Sequence, residues 1–514
     1  MAAELHQKHT IDPKSGYCCS TRTYHSLRDN FQLPPESSPL SITDYVFSLL
    51  HSNPKFSPSS PVLIDSSTHD CLSYSDFIHR VNSLSSSLSH LSPNDVALIL
   101  SPPSFHVPVL YLSLLSLGVV ISPANPLSTH SELLHLIELS KPTVIFTVSS
   151  LKQMLTFCKY TTSIINIDSP FFGSMLANAG ITRATPSFPQ SNSGVILYSS
   201  GTTGRVKGVE LTHRNFIVLL ATLHHRRMKA MEELGENIKP AVSLFFLPLF
   251  HVFGFFMMLR AVSMAETLVL MERFDLGKMF ETVERYKVTY MPVSPPLVVA
   301  LEKSQLVNKY DLSSLEFLGC GGAPLGKEVA HRFKARFPNV EIVQGYGMTE
   351  TGGGAASTVG PEESERYGSV GRLQEYMQAK IVDPSTGGAL PPGHEGELWL
   401  RGPTIMKGYV GDKEATAATF HPDGWLKTGD LCYFDSDGYL YIVDRLKELI
   451  KYKGYQVPPA EMERVLLSHP DIADAAVIPY PDEEAGQIPM AFVVRAPESS
   501  ITASQVMDYV AKEG

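Results

Sequence analysis

From residue 77 onward, short apolar runs alternate with stretches whose hydrophobic residues recur at helical spacing, and this alternation restricts the chain more than any other feature. Residues 96–100 and 143–147 read as strands, and 107–118 and 132–139 as helices. Parallel strands need a crossover between them, so the pattern predicts βαβ units and a parallel sheet flanked by helices. The same rhythm returns later, where 242–247 leads to His251 and a helix over 278–286 leads to a strand over 288–293. Residues 315–318 then enter GCGGAPLG, a helix with Val329, Phe333 and Phe337 on one face follows, and 340–343 runs into QGYGMTE. Three chemically unusual segments thus follow strand ends, where open α/β sheets bind ligands, and one shared cleft is expected. From about Gly368 the texture changes to short alternating strands, 396–401 and 439–443, on either side of Asp435-Ser-Asp-Gly438. An antiparallel subdomain with a tight turn at Asp437-Gly438 is predicted. An EF-hand is the tempting alternative, but the downstream Glu and the full acidic spacing are missing.

Residues 1–61 are rich in Ser and Pro and are expected to wrap the surface, with one short helix near 45–50. Ser73-Tyr-Ser-Asp76 reads as a capping box opening a helix with Phe77, Val81, Leu84, Leu88 and Leu91 inward, which assigns the serines of 83–89 to its exposed face. At 514 residues, 43% apolar and 18% charged, the chain is ordinary globular material with more than one domain. A net charge of −10 leaves no basic surface for nucleic acid, so an anionic ligand must be met by local cations such as Lys207, Arg445 and Lys453. The six cysteines, Cys18, Cys19, Cys71, Cys158, Cys320 and Cys432, show no C-x-x-C spacing and are expected to be packing residues in a reducing compartment. Residues 1–10 lack an apolar signal core, and the most hydrophobic stretch, 107–121, falls short of the ~20 residues that span a bilayer.

The stretch GVILYSSGTTGRVKGV at 194–209 runs from an apolar strand into Ser199, Ser200, Gly201, Thr202, Thr203 and Gly204, with Lys207 and Gly208 after them. Small residues let backbone N–H groups approach an anion, the hydroxyls add donors, and Lys207 supplies a compact charge. The order does not fit G-x-x-x-x-G-K-[ST], so a phosphate loop of another kind is needed; a flexible surface turn is the plain alternative. Gln344-Gly-Tyr-Gly-Met-Thr-Glu350 sets an aromatic ring, a hydroxyl and a carboxylate within seven residues, more than a glycine turn requires. His251 between Phe250 and Phe253 reads on its own as a core histidine, Asp430 in KTGD as a turn residue, and the cations from Arg445 to Lys453 as a solvated helix face.

SSGTTGRVKG, the histidine of LPLFH, GCGGAPLG, GYGMTE, KTGD and DRLKELIKYKGYQV, in that order, resemble the signatures of the adenylate-forming superfamily. LPLFHVFG, GCGGAPLGKE and KELIKYKGYQVPPAE are most similar to plant 4-coumarate:CoA ligases and their acyl-CoA ligase relatives. The resemblance implies an α/β fold: a large adenylate-forming domain over 1–446, with parallel-sheet subdomains and a small antiparallel one, and a small, truncated α+β C-terminal domain over 447–514. It implies an acid-thiol ligase using ATP, Mg²⁺ and coenzyme A to convert a phenylpropanoid, benzoate-like or fatty acid through an acyl-AMP to its thioester. By resemblance, Ser199 to Gly204 and Lys207 hold the phosphates. Gln344, Gly345 and Tyr346 meet the nucleotide, with Tyr346 stacking on adenine. Thr349 contacts the α-phosphate, Glu350 holds Mg²⁺, and Asp430 and Arg445 bind the ribose. His251, Phe253, Gly321, Gly322 and Gly345 would form the acid site. Lys447 would be the interdomain pivot, Lys451 and Gln456 would meet the adenylate, and Arg273, Lys453 and Gly454 would line the CoA path.

One departure stands against the resemblance. Relatives carry a late lysine in a P-K-[ST]-x-x-G-K context; Lys512 in Ala-Lys-Glu-Gly does not match it, so the expectation includes a shortened form or a nucleotide-binding protein impaired in adenylation. Phe253, where many 4-coumarate:CoA ligases have tyrosine, and TGGGAA after GYGMTE predict a roomier, less polar pocket that accepts cinnamate-like, benzoate-like or aliphatic acids at least as well as 4-coumarate. A monomer in the cytoplasm or the peroxisome completes the expectation.

Overall fold

The computed structural model describes residues 10–156, 163–177, 186–199, 206–234, 241–453, 455–482 and 485–513. Its first sheet runs Gly408–Tyr409, Lys207–Thr212, Ser193–Ser199, Val120–Ala124, Val96–Leu100, Val144–Thr147 and Ser163–Asn166. The last five pair in parallel, as the alternation predicts, and the first two add antiparallel strands at the edge. A second sheet has Glu341–Tyr346, Phe317–Cys320, Tyr290–Val293, Val242–Phe245, Thr267–Leu270 and Pro61–Asp65 in parallel, with short antiparallel strands at both ends. Helices Ile42–Ser52, Tyr74–Ser87, His106–Ser116 and Val252–Ser263 share one apolar core with strands of both sheets. Phe77, Leu84, Leu110, Phe255 and Val262 are fully buried there. Each contributes roughly 1.5–3 kcal/mol by leaving water, so the two sheets are clamped around a common helical layer.

The serines of the second helix overturn one expectation. Ser83, Ser85 and Ser86 are buried. The Ser85 hydroxyl donates to the Val81 carbonyl at 2.7 Å and lies 2.9 Å from Ser116 Oγ, while Ser113 donates to the Val109 carbonyl at 2.7 Å. A hydroxyl satisfied by its own helix carries no unpaired group inward, and its small size lets helices Tyr74–Ser87 and His106–Ser116 approach closely.

A third, antiparallel sheet joins Gln378–Val382, Gly396–Arg401, Leu426–Phe434 and Leu440–Arg445. Residues 1–61 do more than wrap the surface: Thr23–His25 pairs with Gln378–Val382 and Tyr17–Cys18 pairs with Thr23–His25, extending this sheet, and the Tyr24 ring stacks on Phe434 at 4.2 Å. The acidic turn holds no cation loop. Asp435 accepts from the backbone of Asp437 and Tyr439, and Asp437 is paired with Lys14 and Arg366 at 2.6 Å each. Cys18, Cys320 and Cys432 are buried, but Cys19 and Cys71 are exposed and so are not packing residues; none of these five is in a disulfide, and Cys158 lies outside the described residues.

A fourth sheet, Tyr455–Val457, Ile450–Tyr452, Gly486–Arg495 and Ile472–Asp482, is antiparallel and packs with helices Pro459–Ser468 and Ala503–Glu513 around Ile450, Leu466 and Ile472. Two contacts dock this unit on the rest of the chain. Asp444 Oδ2 accepts from Ala460 N–H at 2.9 Å, at the start of helix Pro459–Ser468, where a carboxylate is favoured by the free amides and the helix dipole. Lys303 Nζ donates to the carbonyls of Leu467, His469 and Ile472, at 3.3, 3.1 and 2.5 Å.

Candidate active site

The hairpin of Ser193–Ser199 and Lys207–Thr212 sets Lys207 opposite Ser199, so both flank the base of the hydroxyl-rich loop. Ser200, Gly201, Thr202, Thr203 and Gly204 of that loop lie outside the described residues. Strand Glu341–Tyr346 delivers a short 3₁₀ turn, Thr349–Thr351, in which Thr349 and Glu350 are buried. Glu350 Oε1 accepts from the Tyr409 hydroxyl at 2.9 Å and from Ser199 Oγ at 3.3 Å, and the Glu350 carbonyl accepts from Met406 N–H at 2.8 Å. Lys207 Nζ stands 4.7 Å over the Tyr409 ring, a cation–π contact. Burial and the Glu350 charge push the Tyr409 phenol well above its ordinary pKa, so it stays a neutral donor. Sequence reasoning missed Tyr409. It reaches the site only because Gly408–Tyr409 pairs with Lys207–Thr212 across the fold, and no local pattern announces that pairing.

On the other side of the strand end, Tyr346 donates its hydroxyl to Asp430 Oδ2 at 2.5 Å. Asp430 lies opposite Arg445 on neighbouring strands, with Arg445 Nε 3.7 Å from Oδ1. Burial raises the Asp430 pKa, opposed by the Tyr346 hydrogen bond and the Arg445 charge. The phenol is raised further still by burial, so the shared proton stays on Tyr346. Gln344 is 3% exposed and its Nε2 has no hydrogen-bond partner among the described residues, while its backbone is tied to Thr358. A cavity of about 380 Å³ opens beside these groups, lined by Gly322, Gly345, Tyr346, Asp430 and Arg445 and closed across by Pro459, Glu463 and Val477 of the C-terminal unit.

His251 follows strand Val242–Phe245 and caps helix Val252–Ser263, its Nδ1 accepting from Phe253 N–H at 3.3 Å. The side chain is exposed, which removes the reading as a core histidine. Partial loss of hydration lowers its pKa, and the bond to Nδ1 leaves Nε2 as the protonated nitrogen of the neutral ring. The Phe253 ring lies against Gly321: a β-carbon there would sit 3.6 Å from the ring and 3.6 Å from the Gly345 carbonyl. Phe253, Gly321 and Gly345 therefore share one wall.

The cations of 445–456 are placed differently. Lys451 and Gln456 face each other across the hairpin Ile450–Tyr452 and Tyr455–Val457, both exposed. Lys451 N–H donates to Gln487 Oε1 at 2.7 Å, and Lys453 turns the hairpin at φ +47°; Gly454 lies outside the described residues. Lys447 is exposed beside Glu448, 3.7 Å away. Arg273 is exposed in the turn after Thr267–Leu270. None of Arg273, Lys447, Lys451, Lys453 and Gln456 lines the cavity. A basic helix face is not what forms here, because 450–457 is a β-hairpin. Asp444 and Lys303, which dock the C-terminal unit, were also missed, since each acts on backbone groups distant in sequence.

Comparison with known proteins agrees with this geometry. Residues 50–410 match the AMP-binding enzyme family and residues 461–513 the AMP-binding enzyme C-terminal domain. The 4-coumarate–CoA ligase-like 9 of Arabidopsis thaliana is 54% identical, covering 100% of this chain and 93% of that relative. The peroxisomal OPC-8:0-CoA ligase 1 of the same plant is 40% identical, over 98% and 92%. ATP-bound MatB from Rhodopseudomonas palustris superposes with a TM-score of 0.79 at 26% identity, covering 92% of each chain. The o-succinylbenzoate CoA synthetase of Bacillus subtilis, in complex with its acyl-adenylate intermediate, gives 0.76 at 26%, over 91% of each. Among the described residues no helix is long and apolar enough to cross a membrane. With its sequence motifs gathered at the strand ends and both family matches in sequence order, the chain belongs to the AMP-binding enzyme family.

Proposed function

We propose that this protein is an ATP-dependent acid:CoA ligase, joining a carboxylic acid to coenzyme A through an acyl adenylate. The observation that carries the reading is the pair of carboxylates held by phenols near one another, Glu350 by Tyr409 and Asp430 by Tyr346, with Lys207 beside the first and the cavity beside the second. Tyr346 offers its ring to adenine, Asp430 accepts from the ribose hydroxyls while Arg445 donates to them, and Gly345 on the cavity wall and Gln344 beside it, its amide unpartnered among the described residues, meet the nucleotide. Thr349, Ser199, Lys207 and the loop at 200–204 take the phosphates.

Among the described residues no group of three or more His, Cys, Asp or Glu gathers to cage a metal. Glu350, a single buried carboxylate aimed by two hydroxyl donors, fits Mg²⁺, which keeps its waters and the substrate's phosphate oxygens. Bound there, Mg²⁺ would neutralise charge on those oxygens.

In the first step a carboxylate oxygen of the acid attacks the α-phosphorus, and the bond to the bridging oxygen breaks to release pyrophosphate. Neutral His251 donates from Nε2 at the mouth of the acid site, walled by Phe253, Gly321 and Gly322. In the second step the CoA sulfur attacks the acyl carbonyl, its proton is lost, and AMP leaves. Rotation about Lys447 carries Lys451 and Gln456 to the adenylate, with Lys453, Gly454 and Arg273 along the CoA path. Positioning and fixed charge supply the catalysis, with no protein nucleophile. A monomer in the cytoplasm, or in the peroxisome as for the peroxisomal relative, fits this work.

Pyrophosphate release and thioester formation, measured over cinnamic, 4-coumaric, benzoic, medium-chain and long-chain acids, test the reading. Acid-dependent release followed by CoA-dependent thioester is expected. Nucleotide binding with no release for any acid would contradict it.

A further inference from the structure

Helix Val252–Ser263 carries one face that is not sealed. Val252, Phe255, Phe256, Met258 and Leu259 are buried, whereas Phe253, Met257 and Arg260, at spacings of four and three, keep part of their surface. Residues so spaced lie along one side of a helix, and this side begins at His251, the mouth of the acid site. Opposite it, strand Phe317–Cys320 runs on to Gly321 and presents Gly319 and Gly321 on one face, two residues apart. The Phe253 ring occupies the space over Gly321. A β-carbon on Gly319 would overlap the hydroxyl of Tyr290, so glycine there is what admits that phenol.

Among the described residues the Tyr290 hydroxyl has a single hydrogen-bond acceptor, the thioether of Met257 at 3.7 Å, which is a poor one. The ring is nevertheless firmly placed. Arg260 stacks over it at 4.6 Å and is itself held by Glu266, at 2.9 and 3.0 Å, and Glu266 also accepts from Ser243 at 3.0 Å. Tyr290, half-buried, fixed in position and given only sulfur to bind, has its donor left over for a ligand. Burial raises its pKa, which keeps it a neutral donor.

Resting on the ligase reading, we infer that Tyr290 is a specificity-determining residue. Its hydroxyl marks the far end of the acid site and selects acids that carry a carbonyl or ether oxygen distant from the carboxylate. From His251 to Met257 the helix rises ~9 Å at 1.5 Å per residue, so the oxygen belongs about that far from the reacting carboxylate. The hydrogen-bonding group that Phe253 lacks is thus supplied from the neighbouring strand, within the roomier, less polar pocket expected from the sequence.

The test compares 7-oxooctanoate with octanoate, matched in length and differing in one oxygen, by kcat/KM for pyrophosphate release. The parent protein is expected to favour the oxo acid ~10-fold, and Tyr290→Phe to bring the ratio near 1 through KM, with the KM for ATP unchanged. A ratio near 1 in the parent, or one that Tyr290→Phe leaves intact, overturns the inference while the ligase reading stands. Release with neither acid nor any other removes both. Should Tyr290→Phe not fold, Met257→Leu takes away the sulfur acceptor and keeps the phenol; the preference is expected to hold or rise, and its loss overturns the inference.

Discussion

The two carboxylate sites of the large unit and the cationic hairpin of the C-terminal unit present opposite physical conditions. Glu350 and Asp430 are surrounded by donors from distant strands, and every partner is held by sheet pairing. Lys451 and Gln456 stand exposed on the hairpin at the edge of a four-stranded sheet, where Lys453 takes the left-handed region. A group that must meet charge in one fixed geometry gains from such preorganisation, whereas a group that must first travel is best left solvated, because desolvating it twice would cost free energy each time. On the proposed reading, the difference teaches that the two half-reactions would draw on two separate sets of residues, one enclosed by the sheets of the large unit and one exposed on the C-terminal unit.

The largest effect should come from breaking the built-in set. Glu350→Gln keeps the shape but removes the charge, and pyrophosphate release is expected to fall on the order of 100-fold or more, at least about 2.7 kcal/mol. A loss below about threefold would mean that the buried carboxylate is structural. Next, Lys451→Ala and Gln456→Ala are expected to slow CoA transfer from preformed acyl adenylate ~30-fold, about 2 kcal/mol, with adenylation little changed. Equal loss in both steps would erase the contrast.

The comparison also shows which parts of the molecule were legible in its sequence. Parallel strands such as Val96–Leu100 and Phe317–Cys320 and their crossover helices were readable because hydrophobic period is a local property. Groups placed by pairing between distant segments were not. Tyr17–Cys18 and Thr23–His25 join a sheet whose other strands come more than 300 residues later, and Tyr409 stands beside Glu350 through a two-residue edge strand. The buried serines at 83, 85 and 86 misled because a small hydroxyl, bonded to its own helix as at Ser85, is as buriable as a small apolar group, and composition does not record that bond. Tyr290 read as one residue of a strand, and only the missing β-carbon of Gly319 gives its hydroxyl a place.

Smaller effects sharpen the contrast. Lys207→Ala should weaken ATP binding and slow adenylation ~10-fold, about 1.4 kcal/mol, since Tyr409 positions the lysine without replacing its charge. Unchanged affinity and rate would remove Lys207 from the phosphate site. Lys303→Met takes three hydrogen bonds from the docking of the C-terminal unit and should speed amide hydrogen exchange across 459–472 by ~5- to 10-fold, about 1–1.4 kcal/mol. Exchange as slow as in the parent would show that Asp444 docks the unit without it.

The division of labour itself is most directly tested by following both half-reactions, in single-turnover experiments, for Glu350→Gln and Lys451→Ala side by side. The account predicts a crossed result: Glu350→Gln loses pyrophosphate release and still converts supplied acyl adenylate to thioester, while Lys451→Ala releases pyrophosphate and stalls before CoA. Two variants defective in the same step to the same degree would contradict it.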